Sequence, residues 1–202
     1  MPGGIVRQPA SVNQSTHRCE AVTAAAGTVA DGLAAHGVTP TLKHFPGLGR
    51  VQENPDKSRD ATDDVTTRDD SEVAAFGTLA GSDAEPFVMM SSATYTQIDP
   101  SAPAVFSPVV VTDLLREQLG FDGVVISDDI GAAQAVPVEE RAVRYLEAGG
   151  TLMLTMDADL VTEMIDAIVA RAESDPAFSA TVDAAVRTAL TAKADAGLLQ
   201  ET

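Results

Sequence analysis

Four strand-length runs, each separated from the next by a segment of helical period, constrain this chain more than any other feature. They are Val38–His44, Pro86–Ser91, Gly123–Ser127 and Thr151–Thr155, and none alternates cleanly between apolar and polar residues. Strands without that beat are covered on both faces, as in a parallel sheet whose crossovers are helices. The helical segments fit this order. After Ser15 or Thr16, either an acceptable N-cap, Val22, Ala26, Val29 and Leu33 recur at spacings of one helix face until Gly37 stops them. Asp69, Asp70 or Ser71 caps a short helix bearing Val73, Phe76 and Leu79. Ser107-Pro108 opens another with Leu114, Leu115 and Leu119 inward and Gly120 as its stop. A fourth runs from about Pro137 to Ala148, and two Ala-rich helices, about 159–173 and 177–196, close the chain. The pattern is a helix, then βα four times, then an extra helix. Four strands are too few to close an eight-stranded barrel; they suffice for half of one or for a small open sheet. Residues 1–14 are polar and Pro/Gly-rich and read as a loosely held leader to the domain at 15–202.

Two of the strands end on chemistry. Val38–His44 runs into Lys43-His44-Phe45-Pro46-Gly47-Leu48-Gly49, a Pro/Gly turn directly behind a lysine and a histidine. Gly123-Val124-Val125-Ile126-Ser127-Asp128-Asp129 is an apolar strand that finishes in paired carboxylates. Polar groups where parallel strands stop are how α/β proteins build ligand sites, so the two ends suggest one shared rim. The plainer alternative is a pair of ordinary strand-to-loop junctions. Pro46 through Asp70 is a long polar stretch without apolar period, a length uncommon in compact domains and often functional. Met89-Met90 reads as core, and Gly149-Gly150 as a helix stop.

Composition removes several function classes. The 202 residues are one domain's worth of chain, and 45% of them are apolar, enough for a soluble globular core. A net charge of −17 repels phosphate backbones and anionic membranes, which argues against nucleic acid as a partner. Cys19 is the one cysteine, so no internal disulfide or multi-cysteine metal site forms, and with only His17, His36 and His44 a zinc site is not expected. No run is long enough to span a bilayer, and the first residues lack a signal-peptide core. Taken literally this means a cytoplasmic protein; export stays open if an upstream segment belongs to it. No G-x-S-x-G elbow, P-loop or dinucleotide fingerprint is present, and no cofactor is called for.

Lys43-His44-Phe45-Pro46-Gly47-x-Gly49 resembles the signature of glycoside hydrolase family 3 in its β-N-acetylhexosaminidase branch, and Gly123 through Ile130 is similar to that family's nucleophile strand. Met89-Met90-Ser91 and Phe121-Asp122-Gly123 fall at matching intervals, and the likeness runs from about residue 15 to the end. The resemblance implies a TIM-type (β/α)8 barrel of which the last four βα units are present, a half-barrel. Its first strand would then be a raw edge of unpaired amides and a surface for pairing, including self-association. The chain is then a piece or mis-started reading of a longer protein, or a half-barrel that pairs with something.

The resemblance also implies a retaining β-glycosidase that removes terminal β-linked N-acetylglucosamine or glucose from a carbohydrate substrate. Such enzymes need a nucleophile and an acid about 5–5.5 Å apart. Asp128, directly after the Ser at the strand end, matches the family's nucleophile. Asp129 competes with it, because adjacent residues of an extended strand face opposite ways and only one can meet the sugar. Lys43 and His44 match positions that contact sugar hydroxyls. The acid departs from the pattern: where the branch carries Asp-Ser-His, this chain has Asn54-Pro55-Asp56, so the acid's place falls to Asp56, which would need a raised pKa. The chain also reads Ser91-Ser92-Ala93-Thr94-Tyr95 where the branch has a further histidine. Two other readings remain: a sugar-binding relative that lost hydrolysis, and an inactive half-barrel.

Overall fold

The computed structural model describes residues 12–55, 57–58, 60–132 and 136–199, with backbone alone for 12–17. Helix α1 (Val12–Ala34) leads into β1 (Thr41–Phe45), and a short β2 (Thr62–Asp63) precedes α2 (Ser71–Ala80). After β3 (Phe87–Met90), β4 (Thr94–Tyr95) and a 3-10 turn at Ala104–Phe106 comes a π-wound helix, Val109–Gln118. Then follow β5 (Val125–Asp129), α3 (Val138–Glu147), β6 (Leu152–Leu154), α4 (Leu160–Ser174) and α5 (Pro176–Asp195).

β1, β3, β5 and β6 form one sheet in that order, and every neighbouring pair is parallel. The expected βα order is therefore the observed one. What sequence reading missed is the second sheet: β2 and β4 pair in parallel within loops that show no apolar period, each strand being two residues long. Among the described residues β1 and β6 are the sheet's two edges, each bonded to one neighbour.

The register sorts the side chains. Phe45, Val88, Met90 and Val125 are fully buried in one cluster with Val73 of α2, Leu114 and Leu115 of the π-wound helix, and Tyr145 of α3. The opposite face carries Lys43, Met89, Ile126 and Leu152, which pair in one row across the strands and are none of them fully buried. Phe45 packs edge-on against Phe76 of α2, ring centroids 5.4 Å apart. Burial of such side chains contributes about 1.5–3 kcal/mol each, so the sealed face dominates stability.

Close packing on the sealed side depends on Gly150, where an added Cβ would lie 2.2 Å from the Tyr145 ring. Tyr145 Oη donates to the Val125 carbonyl at 2.8 Å, tying α3 to the central strand. The glycine read as a simple helix stop is thus a contact surface. Arg116 works nearby, donating to the Gly149 carbonyl and to Thr151 Oγ1 from the end of the π-wound helix.

The first helix departs from expectation in what it covers. Ala30 is buried, but Val22 and Val29 are each 63% exposed. With Leu33 and Leu42 they line a groove of about 980 Å³ between α1, α2 and β1. Along α4, Met164 is buried while Val161, Ile165 and Val169 stay exposed at a four-residue spacing. Helical periodicity found the apolar face of α1; it could not tell that Val22 and Val29 would lack a cover among the described residues.

Candidate active site

β1 and β5 are separated by β3, and both end on the same rim of the sheet. Asp128 lies two residues beyond Ile126 and so shares its face, the open one that also carries Lys43. His44 Nε2 approaches Asp128 Oδ2 to 3.3 Å, and both side chains are about one-fifth exposed. The imidazole and the carboxylate predicted from separate motifs are therefore in contact. Lys43 is exposed and opens onto the groove beside α1. Asp56 lies outside the described residues.

Asp129 does different work. Its Oδ1 accepts from the amides of Gly131 and Met156, each at 3.0 Å, so it ties the loop after β5 to the chain leaving β6. The preceding Ser127 is fully buried, and its Oγ accepts from the Leu154 amide at 2.9 Å. Of the adjacent aspartates, Asp128 meets His44 and Asp129 serves the backbone. Strand alternation foretold that they would differ; which one faced the rim required the sheet's register.

The loop after the signature is held at several points. Arg50 Nη1 donates to Asp70 at 2.6 Å and Nη2 to Glu72 at 3.0 Å, fastening the loop to the start of α2. Asp70 also accepts from the Thr67 amide, so the predicted cap residue is spent on the loop and does not cap α2 through its side chain. Tyr95 Oη donates to the Gly47 carbonyl at 2.8 Å. Asp63 is fully buried and accepts from the amides of Val65 and Thr66 and from the Thr66 hydroxyl. Burial alone raises its pKa, but these donors outweigh it and hold the carboxyl below the ordinary range. Asp99 behaves alike: burial is outweighed by Ser101 and Ser107. None of these clasps was singled out from sequence, since single Arg, Asp and Thr residues in a polar loop carry no periodic signal. Among the described residues no three His, Cys, Asp or Glu side chains gather as a metal-binding set.

A parallel βα architecture with ionisable groups at the carboxyl ends of its strands defines an α/β protein of the kind that builds sites on loops after strands. The sequence profile described as "Glycosyl hydrolase family 3 N terminal domain" matches residues 7–192. The chain belongs to glycosyl hydrolase family 3. It is 42% identical over 147 residues to a protein named beta-hexosaminidase from Stenotrophomonas maltophilia (strain R551-3), an alignment covering 69% of this chain and 42% of that protein. The crystal structure of a beta-N-acetylhexosaminidase from Beutenbergia cavernae DSM 12333 superposes with a TM-score of 0.82 at 50% identity, covering 87% of this chain and 53% of that one. A family 3 beta-N-acetylglucosaminidase from Paenibacillus sp. str. FPU-7 superposes with a TM-score of 0.79 at 27% identity over 91% of this chain and 36% of its own. The chain thus spans about half, or less, of the length of these relatives. No helix among the described residues is long and apolar enough to cross a membrane.

Proposed function

We propose that this chain carries the nucleophile-bearing part of a retaining β-glycosidase acting on terminal β-linked N-acetylglucosamine or glucose. The observation that carries this reading is the 3.3 Å contact between His44 and Asp128 on the open face of the sheet, at the strand ends. Asp128 attacks the anomeric carbon as the bond to the leaving oxygen breaks, forming a glycosyl–Asp128 ester. Water then displaces the aspartate. His44, in contact with the nucleophile, and Lys43, on the same face, donate hydrogen bonds to the sugar hydroxyls. Asp56, assigned by sequence position alone, protonates the leaving oxygen and then takes the proton of the attacking water. The names of the relatives, beta-hexosaminidase and beta-N-acetylhexosaminidase, favour the N-acetylated sugar.

The fold belongs to the same proposal. The sheet carries its core cluster on one face only, which favours four units of a (β/α)8 barrel over an open sheet wrapped on both sides. Its edges β1 and β6 are then pairing surfaces, and self-association through them would appear as a concentration-dependent mass in sedimentation.

A second reading, a sugar-binding relative without turnover, rests on Asn54-Pro55-Asp56 standing where the acid triplet is expected. Incubation with a 2-fluoro β-glucoside and with a 5-fluoro N-acetyl-β-glucosaminyl fluoride, followed by intact mass and peptide mapping, decides between them. An adduct on Asp128 is the expected result. Folded protein that binds sugar yet forms no adduct would favour the second reading, and an adduct elsewhere would overturn the assignment of Asp128.

A further inference from the structure

The loop that leaves β5 has to hold Asp128 in place with little help from the sheet. Pairing of β5 with β3 stops at Met89–Ile126, and its register with β6 shifts between Ile126 and Asp129. The strand end that bears Asp128 therefore lies beyond the regular ladder. Asp129 supplies part of the missing support through Gly131 and Met156, and the Ile130 amide donates to the Leu154 carbonyl at 2.8 Å.

Arg141 supplies more. It sits on the inward face of α3, one turn from Tyr145, and is only 6% exposed. A buried guanidinium is retained where its N–H groups find acceptors in a fixed fork. Here Nε donates to the Val136 carbonyl at 2.7 Å, and Nη1 to the carbonyls of Ile130 at 3.0 Å and Gly131 at 3.4 Å. Ile130 and Gly131 directly follow the two aspartates, and Val136 directly precedes the N-cap of α3. One side chain thus grips both ends of the segment that follows the strand end.

We propose that Arg141 is a positioning residue: by gripping the carbonyls of Ile130, Gly131 and Val136 it fixes the backbone after β5 so that the Asp128 carboxylate stays against His44. The inference rests on Asp128 being the nucleophile. Arg141 is buried and donates to backbone carbonyls, so its loss is expected to misplace the attacking oxygen rather than to remove a binding contact. A misplacement of about 1 Å can cost about a hundredfold in rate. The guanidinium stays charged throughout the working range, so the grip is independent of pH.

The test compares wild type, Arg141→Lys and Arg141→Gln with 4-nitrophenyl N-acetyl-β-glucosaminide, alongside thermal midpoints. The expected result is a kcat lowered about tenfold in Arg141→Lys and about a hundredfold in Arg141→Gln. KM should stay within about threefold and the pH profile should keep its shape. Partial retention in Arg141→Lys, which keeps the charge but not the fork, separates positioning from mere folding. A kcat equal to wild type, or one lowered only by the unfolded fraction, overturns the proposal.

A second measurement stands even if the wild type proves inactive. The His44 ring signals, assigned with His44→Gln, are recorded at one pH for wild type and Asp128→Asn, and again for both in the Arg141→Gln background. Positioning by Arg141 predicts that the shift caused by Asp128→Asn shrinks severalfold or vanishes in the second background. An equal shift in both backgrounds overturns the proposal. Absent turnover with a vanished shift would instead indict the glycosidase reading and leave the role of Arg141 standing.

Discussion

The two faces of the sheet obey different rules. On the helix-covered face, Phe45, Val88, Met90 and Val125 are wholly buried, and a tyrosine hydroxyl stitches helix to strand. On the other face, one residue along each strand, Met89 and Ile126 are only partly covered, and beyond them His44 and Asp128 meet at the strand ends. The first face is made of interchangeable apolar volume, where shape and burial decide. The second holds polar side chains at a strand end, where direction decides. Stability should therefore be lost by changes on one side and chemistry by changes on the other.

The sharpest break of that division is Asp128→Asn. It keeps volume and removes the attacking charge, so turnover of an aryl N-acetyl-β-glucosaminide should fall at least about a thousandfold, equivalent to about 4 kcal/mol of barrier. The urea midpoint should move little. Turnover persisting in a pure, folded variant would refute the nucleophile assignment. Met90→Ala is its mirror on the sealed face: a loss of about 2–5 kcal/mol in urea unfolding, with kcat per folded molecule unchanged. If Met90→Ala instead lowered kcat without loss of stability, the two faces would not be separable.

Gly150→Ala tests the sealed face from its tightest contact. The added methyl meets the Tyr145 ring well inside van der Waals distance, so the ring shifts and its bond to Val125 weakens. A loss of about 1–3 kcal/mol is expected by chemical denaturation.

Legibility in the sequence followed the same division. The apolar runs at Val124-Val125-Ile126 and Phe87-Val88-Met89-Met90 announced strands, and the parallel order of the four followed from the helices between them. The expected cover on both faces did not hold, because burial alternates along β3 and β5 and leaves Met89 and Ile126 only partly covered. His44 and Asp128 drew notice in the sequence as ionisable residues close to where an apolar run stops, and both fall in the last two residues of their strands. The union of His44 with Asp128 was not legible, since β3 stands between their strands and chain distance says nothing of lateral order. Gly150 was misjudged because a glycine's crowding depends on a neighbour, here Tyr145, set by the turn of α3. Arg141 fell on the apolar face of α3, a position where charge is unexpected, and that mismatch was the one available signal.

Acid should act on the buried carboxylates that shape the loops around the open face. Asp63 and Asp99 have pKa values held below those of unfolded carboxyls by their hydroxyl and amide donors. Their stabilisation is therefore present above about pH 4, the unfolded value, and is lost as pH falls through the lower folded values. Thermal midpoints should be flat in this respect from pH 7 to about 5 and drop below about 4. Thr66→Val removes a hydroxyl donor to Asp63, raises its folded pKa toward the ordinary value, and should start the decline at higher pH. An unchanged acid limb in Thr66→Val would show that Asp63 does not govern it.

The smallest effect is expected where an apolar residue is not part of any core. Val22 and Val29 look, by periodicity, like the buried stripe of α1, and a rule based on sequence would assign each a core substitution cost. Both side chains face the groove beside β1 and stand 63% exposed. Exposed sites away from caps and networks change stability by no more than about 0.5 kcal/mol. Val22→Thr and Val29→Thr keep the branched shape, so propensity hardly changes and the substitutions isolate burial. At low protein concentration each should leave the urea midpoint within that margin. At high concentration, if the β1 edge associates, the same variants should weaken the association and shift only the concentration-dependent part of the midpoint. A loss of 1 kcal/mol or more at low concentration would mean that α1 is covered within the monomer, and the contrast between its face and the sealed side of the sheet would fail.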